Sequence, residues 1–248
     1  ELSAMMLDYF AYTGNTNFVR ETLLPIADAG VTFFDQHWPH ENGRLLLDPD
    51  NAIEMYWKAK NPAPDIAGLH WVLRGLLALP KDLTTMDQRA RWQRFLKELP
   101  DLPTGETNGV KVLLPAEVYG RAHNAENPEL YSIYPFRIFG LHQPDLDLAK
   151  ATFAARRCKN MGCWNQDGVQ AALLGETDVA RKNVIFNLTR KSPQMRFTAF
   201  WAKGHDYVPD EDNGGNGMNI LQLMLMQSDG RKIYLLPAWP KNWNANFK

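Results

Sequence analysis

The sequence predicts a mainly α protein, made of consecutive antiparallel helical hairpins with short β segments in the loops and at the C-terminus. Three observations predict this class. Apolar residues recur at helical spacing in about nine segments, helix start and stop signals separate these segments, and the sequence holds no heptad or short-period repeat. Long polar loops favour a closed toroid over an open bundle or a solenoid, because a ring gathers its loops around one end.

The first half of the chain is predicted to hold helices on both sides of a turn-rich stretch. A first helix begins at Leu2 and stops at Gly14, and a second is capped by Thr16 and kinked at Pro25. The stretches 39–64 and 101–126 are rich in turn residues, with strand-like runs only in "GRLLLDP" and "VKVLL". Further helices are predicted over about 65–79 and 86–99.

The second half shows the same alternation of helical patterns and polar loops. Helices are predicted over about 129–141, 145–158 and 218–228, and a helical pair meets between a stop at Gly175 and a cap at Thr177. The segment "KIYLLPA" follows as a strand.

Composition describes an ordinary globular chain without a charged partner. The 248 residues are 45% hydrophobic and carry a formal net charge of -1, so we expect neither nucleic acid nor an anionic membrane as a partner. No apolar run approaches the roughly 20 residues of a membrane span. Cys158 and Cys163 lack the second ligand pair of a zinc site, and we predict no metal and no cofactor. Since the chain begins inside a helical pattern, we expect it to be a piece of a longer protein.

Aromatic residues lie beside acids and amides in several loops. Trp57 and Trp201 are the clearest cases, and Tyr56, Tyr207 and Trp239 are similar. Pyranose rings stack on exposed aromatic faces and direct their hydroxyls to polar side chains, so this pattern is typical of a sugar site. The alternative is that these side chains fill gaps under long loops.

Glu54 is the first candidate for catalysis. It follows a turn and stands among Ile53, Met55, Tyr56 and Trp57, surroundings that favour a protonated carboxyl. Such a carboxyl is the general acid that a glycosidase needs to protonate a leaving oxygen. A solvated loop glutamate is the alternative interpretation.

A second group of acids and amides precedes the last predicted helix. It contains Asp206, Asp210, Glu211 and Asp212 with Asn213, Asn216 and Asn219. Calcium binding is one interpretation, although the loop fails the EF-hand pattern. A helix-capping surface turn is another. The third is a carboxylate held at the helix N-terminus to orient a water.

A weaker set consists of Asp167, His123, Glu126 and Glu129. Asp167 and Glu129 fall in the first turns of predicted helices, where acids are favoured for structural reasons alone. His123 is the histidine that lies in a cluster beside carboxylates, in "HNAENPELYSIYPF". We therefore expect His123 and Asp167 to line a substrate site, together with Trp57, Trp201, Asp206 and Asp210.

Several of these motifs resemble one family. The segment "DEDNGGNGMNILQLMLMQSDGRKIYLLPAWP" resembles the end of the catalytic domain of the glycoside hydrolase family typified by inverting 1,2-α-L-fucosidases, and its register places the family's aspartate on Asp212. The segment "PDNAIE" is similar to the motif that carries the family's general-acid glutamate, which falls on Glu54. "GCWNQDGVQAALLG" resembles a further family helix, with Trp164 on its tryptophan. "NPAPDIAGL" and "NPELYSIYPFRIFG" are similar to an uncharacterised bacterial branch.

This resemblance implies an (α/α)6 toroid, of which residues 1–230 would be the later part and residues 231–248 the start of a C-terminal β segment. It also implies an inverting, exo-acting hydrolase of an α-L-fucoside or related glycoside, with Glu54 as acid and Asp212 as base or base-orienting carboxylate. The expected partner is an oligosaccharide or polysaccharide, and the expected location is periplasmic or extracellular. The residues around both acids depart from the family pattern, which puts fucose specificity in doubt.

Two other functions stay open at this point. One is a carbohydrate-binding toroid without turnover, which the altered residues around both acids would allow. The other is a polysaccharide lyase, for which His123, Arg121 or Tyr131 would supply the base and the cationic group.

Overall fold

The computed structural model describes residues 1–190, 211–230, 232–244 and 246. The chain divides into two compact units, Glu1–Ile138 and Phe139–Lys248. In the described part of the chain, no helix is long and apolar enough to cross a membrane.

The predicted mainly α toroid is wrong, because the chain has a mixed α/β arrangement. Helices alternate with small antiparallel sheets, and the two stretches expected to be irregular supply most of the strands. One strand of the stretch 39–64 pairs with a strand of the stretch 101–126. These strands have two to seven residues, and most are too short to show the alternation by which a strand is recognised.

The first unit contains five α-helices among its described elements. They are α1 (Leu2–Thr13), α2 (Thr16–Phe18), α3 (Leu24–His37), α4 (Ala63–Ala78) and α5 (Met86–Glu98). A π-helical turn, Val19–Leu23, joins α2 to α3, and 3-10 turns occupy Lys81–Leu83 and Pro128–Ser132.

The strands of the first unit form three antiparallel groups. The pairs are β1 (His40–Glu41) with β2 (Arg44–Leu45), and β5 (Thr104–Thr107) with β6 (Val110–Leu113). The third group has the order β3 (Asp50–Ala52), β4 (Tyr56–Pro62), β7 (Ala116–Val118).

Helix ends in the first unit follow local chemistry. Gly14 takes a left-handed conformation with φ 65° and ends α1, as predicted. The next cap is Asn15 instead of Thr16, and its side chain accepts from the Phe18 N–H. Pro25 lies inside an unbroken helical stretch, just after the π turn Val19–Leu23, and this turn is the irregularity that the chain shows there.

The core of the first unit lies between α1, α3, α4 and α5. Leu23, Leu73, Leu76 and Trp92 are fully buried there. Gly75 allows α4 to approach α1, because a Cβ at this position would lie 2.5 Å from the Leu7 side chain. This packing supports the sheet β3–β4–β7 at the start of α4.

The second unit contains four helices and one hairpin among its described elements. They are α6 (Leu146–Ala155), α7 (Asp167–Leu174), α8 (Thr177–Thr189), α9 (Asp212–Leu225), β8 (Met226–Asp229) and β9 (Lys232–Leu235). Gly175 ends α7 with φ 74°, as predicted. The helix α9 begins at Asp212, well before the predicted Met218. Its Gly217 allows a close approach to α8, because a Cβ there would lie 2.6 Å from Leu188.

The helix predicted over 129–141 is wrong. The chain makes a 3-10 turn over Pro128–Ser132 and continues as turns. Pro135 explains the failure, because a proline inside a helix lacks the N–H and clashes with the preceding turn. The apolar residues there still reach the core: Phe136 packs against Ala4 and Ala67.

Candidate functional site

Glu54 lies in the three-residue loop that joins β3 to β4. Ala52 and Tyr56 pair on either side of it, and Ile53 takes a left-handed φ of 50°. Met55 and Tyr56 are buried, whereas Glu54 is exposed. Of the apolar neighbours predicted for Glu54, Met55 and Tyr56 are therefore buried while Trp57 is exposed, and Glu54 itself is exposed to solvent.

A second segment, residues 119–126, packs on this loop. The His123 N–H donates to the Met55 carbonyl at 2.9 Å, and Asn124 Nδ2 donates to Glu54 Oε2 at 2.9 Å. This segment follows directly after β7, which pairs with β4. The sheet thus brings together residues that are distant in sequence.

The rings of Trp57 and His123 stack beside Glu54. Their centroids are 4.0 Å apart and their planes differ by 7°. Trp57 is 54% exposed and His123 is also exposed. Three of the predicted site residues, Glu54, Trp57 and His123, are therefore neighbours on one open surface of the first unit.

Glu126 is the member of this cluster that sequence reasoning undervalued. Glu126 Oε2 is buried without a hydrogen-bond partner. Burial raises the pKa of the Glu126 carboxyl, and the charge of Glu54 raises it further. The available sequence signal was the density of polar groups in "HNAENPEL", which could not reveal burial.

The sequence patterns did not predict a second pair of carboxyl groups, Asp50 and Asp65. Burial, and then the charge of Asp50, raise the pKa of Asp65 to about 7, and burial also raises the pKa of Asp50. Asp65 lies in the first turn of α4 and Asp50 in β3. An acid in a first helical turn is usually interpreted as a partner of the helix dipole, so no local pattern indicated this pairing.

Asp167 was predicted to bind substrate, but its carboxylate is paired with the Arg156 side chain. It is 3% exposed, and Arg156 Nε donates to its Oδ1 at 2.6 Å. The Arg156 guanidinium also covers the Phe153 ring at 3.7 Å. Burial raises the pKa of Asp167, and the Arg156 hydrogen bond opposes this rise. This arrangement is typical of a structural ion pair.

Asp212 is the first residue of α9, and its carboxylate lies 4.0 Å from Cys163 Sγ. The amides around it bind the Cys163 backbone: Asn213 Oδ1 accepts from the Cys163 N–H, and Asn216 Nδ2 donates to the Cys163 carbonyl. The amides of this stretch thus fasten α9 to the segment before α7. Asp212 and Asp167 both belong to the second unit.

Three further predicted residues, Trp201, Asp206 and Asp210, lie outside the described residues. Their predicted roles in substrate binding stay predictions.

One group in the described ranges has the composition of a metal site, namely Asp35, His40 and Glu98. Arg94 forms ion pairs with both carboxylates, and each His40 ring nitrogen faces one of them. A divalent cation would have to displace the guanidinium. The group is therefore best described as an ion-pair network between α3, β1 and α5.

An open groove on the first unit lies away from these residues. Its lining comes from the π turn, α3 and α5, and includes Arg20, Phe33 and Arg91. Asp28 in this groove is paired with Arg91 and accepts from Trp92 Nε1. None of the predicted site residues lines it.

Comparisons with known proteins add no relative. No family model matches the chain, and no curated protein matches it significantly.

Proposed function

We propose that the protein is a glycoside hydrolase in which Glu54 is the general acid. The observation that carries this proposal is the position of the Glu54 carboxyl beside the open Trp57–His123 ring stack. A pyranose ring can stack on such a face, and its glycosidic oxygen then lies within reach of a neighbouring carboxyl. Asn124 orients that carboxyl by its hydrogen bond to Oε2.

The reaction needs one proton donor and one proton acceptor. Glu54 gives its proton to the glycosidic oxygen as the bond to the anomeric carbon breaks. A water molecule attacks the anomeric carbon from the opposite face of the sugar. The new bond joins the anomeric carbon to the water oxygen, and the water gives a proton to a base. We propose Asp212 as that base, because the resemblance to the fucosidase family aligns the family's aspartate with Asp212.

The substrate class follows from the same resemblance. We propose an α-L-fucoside or a related glycoside at the non-reducing end of an oligosaccharide, cleaved with inversion. A periplasmic or extracellular location accompanies this proposal, because polysaccharide fragments are met there.

The test is turnover of a panel of aryl glycosides that includes α-L-fucosides, with the anomeric product followed by proton NMR. Glu54→Gln keeps the side-chain shape and the contact with Asn124 but removes the acid. Its expected effect is a loss of about 10²- to 10⁴-fold in kcat/KM. The matched control is Glu106→Gln, which removes an exposed carboxylate from β5 and should retain full activity.

Two results would overturn the proposal. One is full activity of Glu54→Gln on a glycoside that the wild type hydrolyses. The other is a wild-type protein that turns over no glycoside at all.

A non-catalytic carbohydrate-binding role is the second candidate, and the exposure of Glu54 and Trp57 favours it. Calorimetric titration with the same sugars distinguishes it, because a binding protein retains affinity in Glu54→Gln and loses it in Trp57→Ala. The lyase alternative has less support, since Tyr131 packs against the buried Phe136 cluster.

A further inference from the structure

We propose that the open groove along α3 is a second carbohydrate-binding site, which holds an oligosaccharide chain that carries carboxylate groups. This site is separate from the Glu54 surface. It holds the chain on the protein and takes no part in bond cleavage. The inference therefore goes beyond the proposed hydrolase and does not depend on it.

The groove follows one face of a continuous helical stretch. The π turn and α3 contribute lining residues at intervals of four, from Arg20 to Gln36. At the rise of a helix this lining extends for roughly 20–25 Å. The 3-10 turn and α5 add Leu83 and Arg91 beside it, and the groove has a volume of about 770 Å³. This volume falls in the range of ligand sites, and the length suits an extended chain.

Arg91 presents a fixed guanidinium to this groove. Its Nη2 donates to Asp28 Oδ2 at 2.9 Å, and its Nη1 donates to Thr32 Oγ1 at 3.1 Å. Trp92 Nε1 donates in turn to Asp28 Oδ1 at 2.7 Å. The Arg91 side chain is still 43% exposed, and a guanidinium has five N–H donors. Donors therefore remain for the hydroxyls of a ligand, and little side-chain freedom is lost when they bind.

Arg20 gives the groove an uncompensated positive charge. Within the described ranges, no carboxylate lies within ion-pair distance of Arg20, whereas Asp28 is paired with Arg91. Arg20 is exposed at one end of the groove. A guanidinium binds a carboxylate through two parallel hydrogen bonds, so this charge favours a chain that carries carboxylates over a neutral chain.

Phe33 supplies an apolar surface near the other end of the groove. Its side chain is 55% exposed, although its ring stacks on the His37 ring with centroids 4.8 Å apart. Between Arg20 and Phe33 the lining includes the small side chains of Pro25 and Ala29. A sugar ring can stack its C–H face on the aromatic ring, and the small side chains leave room for the units that follow.

The lining favours an oligosaccharide over a peptide. Peptide-binding grooves offer either a free strand edge or a continuous apolar surface. The lining here comes from helical elements, and Asp28, Thr32 and Gln36 interrupt its apolar part. These three polar side chains follow each other at one helical turn, about 6 Å apart. This spacing is close to the length of one sugar unit, so successive sugars can meet successive polar side chains.

The test is calorimetric titration of the whole chain with a tetrasaccharide of galacturonic acid. We expect binding that weakens as salt is added, and weaker binding of a neutral galactose tetrasaccharide. Arg20→Gln should weaken binding of the acidic chain about twofold to fivefold at low salt. The matched control is Lys111→Gln, which removes an equal charge from the exposed side of β6 and should leave binding unchanged.

A second pair of variants tests the aromatic contact. Phe33→Ala should weaken binding of the acidic tetrasaccharide about threefold to tenfold. Met86→Ala removes another exposed apolar side chain, which is 87% exposed on α5 outside the groove, and should have no effect. Trp57→Ala should also leave this binding unchanged, because Trp57 belongs to the Glu54 surface.

The outcomes separate this inference from the proposed function. It is overturned if the acidic tetrasaccharide does not bind, or if Trp57→Ala abolishes binding while Arg20→Gln and Phe33→Ala retain it. Equal binding of a glutamate tetrapeptide also overturns it, because the groove would then select charge and not sugar. A protein that hydrolyses no glycoside but binds the acidic chain through Arg20 and Phe33 overturns the proposed function alone.

Discussion

Glu54 of the first unit and Asp167 of the second unit lie in opposite surroundings. In the first unit, Glu54 is exposed beside a second acid and has no cationic partner among the described residues. In the second unit, Asp167 is buried and its charge is balanced by Arg156. An acid that is balanced and enclosed stabilises a fold, whereas an acid that is open and unbalanced can exchange a proton with a ligand. Glu54 is therefore placed to exchange a proton with a ligand, whereas Asp167 stabilises the fold of the second unit.

The largest effect on stability is expected at Asp167. Asp167→Asn leaves the Arg156 charge buried without its counter-ion, so the free energy of unfolding should fall by about 3–5 kcal/mol in urea denaturation. Asp178→Asn is the matched control on α8, because its side chain is 86% exposed and should shift stability by less than about 0.5 kcal/mol. An Asp167→Asn protein as stable as the wild type would contradict a structural role for Asp167 and would favour its predicted role in substrate binding.

The next effect concerns helix packing in the second unit. A Cβ at Gly168 of α7 would lie 2.6 Å from Asn183 Cβ of α8, and the side chain of Ile220 is also in the way. Gly168→Ala should therefore lower the unfolding free energy by about 1–3 kcal/mol. Gly215→Ala in α9 has open space around the new methyl and should be neutral or slightly stabilising. If both variants lost the same unfolding free energy, the close approach of α7 to α8 would not explain the loss in Gly168→Ala.

The last effect is a pH dependence in the first unit. The folded pKa of Asp65 is raised from 3.8 to about 7, so this residue's contribution to stability is complete below the lower value and is lost as the pH rises through the higher one. Asp65→Asn avoids that loss, so its free energy of unfolding should exceed that of the wild type above pH 7, with no advantage near pH 4. Thermal denaturation across pH measures it. Asp87→Asn, an exposed first-turn acid of α5, should show no such trend.

The sequence predicted the parts of the fold that depend on local signals. The ends of α1 and α7 at Gly14 and Gly175, and the strand β6, are confirmed because caps and left-handed glycines act within a few residues. The pairing of β4 with β7 joins residues such as Lys60 and Val118, and such short strands carry no periodicity that would reveal it. The error in fold class follows from that pairing.

The residues of the candidate site were likewise predictable only where the signal was local. Glu54, Trp57 and His123 were named from residue type and local context, and the structure brings them together. Tertiary packing decides that Glu126 is buried and that Arg156 pairs with Asp167. No local pattern distinguishes Asp167 from an unpaired acid in a first helical turn. The sequence thus indicated candidate residues more readily than the burial and the partners of those residues.

The stacked Trp57 and His123 rings also give the first unit its own optical reporter. A stacked imidazole changes the fluorescence of an indole, so the emission of Trp57 should respond to any molecule that separates the two rings. Seven other tryptophans contribute a background, since the chain contains eight, and a Trp57→Phe protein supplies the spectrum to subtract. Binding at this surface is therefore measurable without a label.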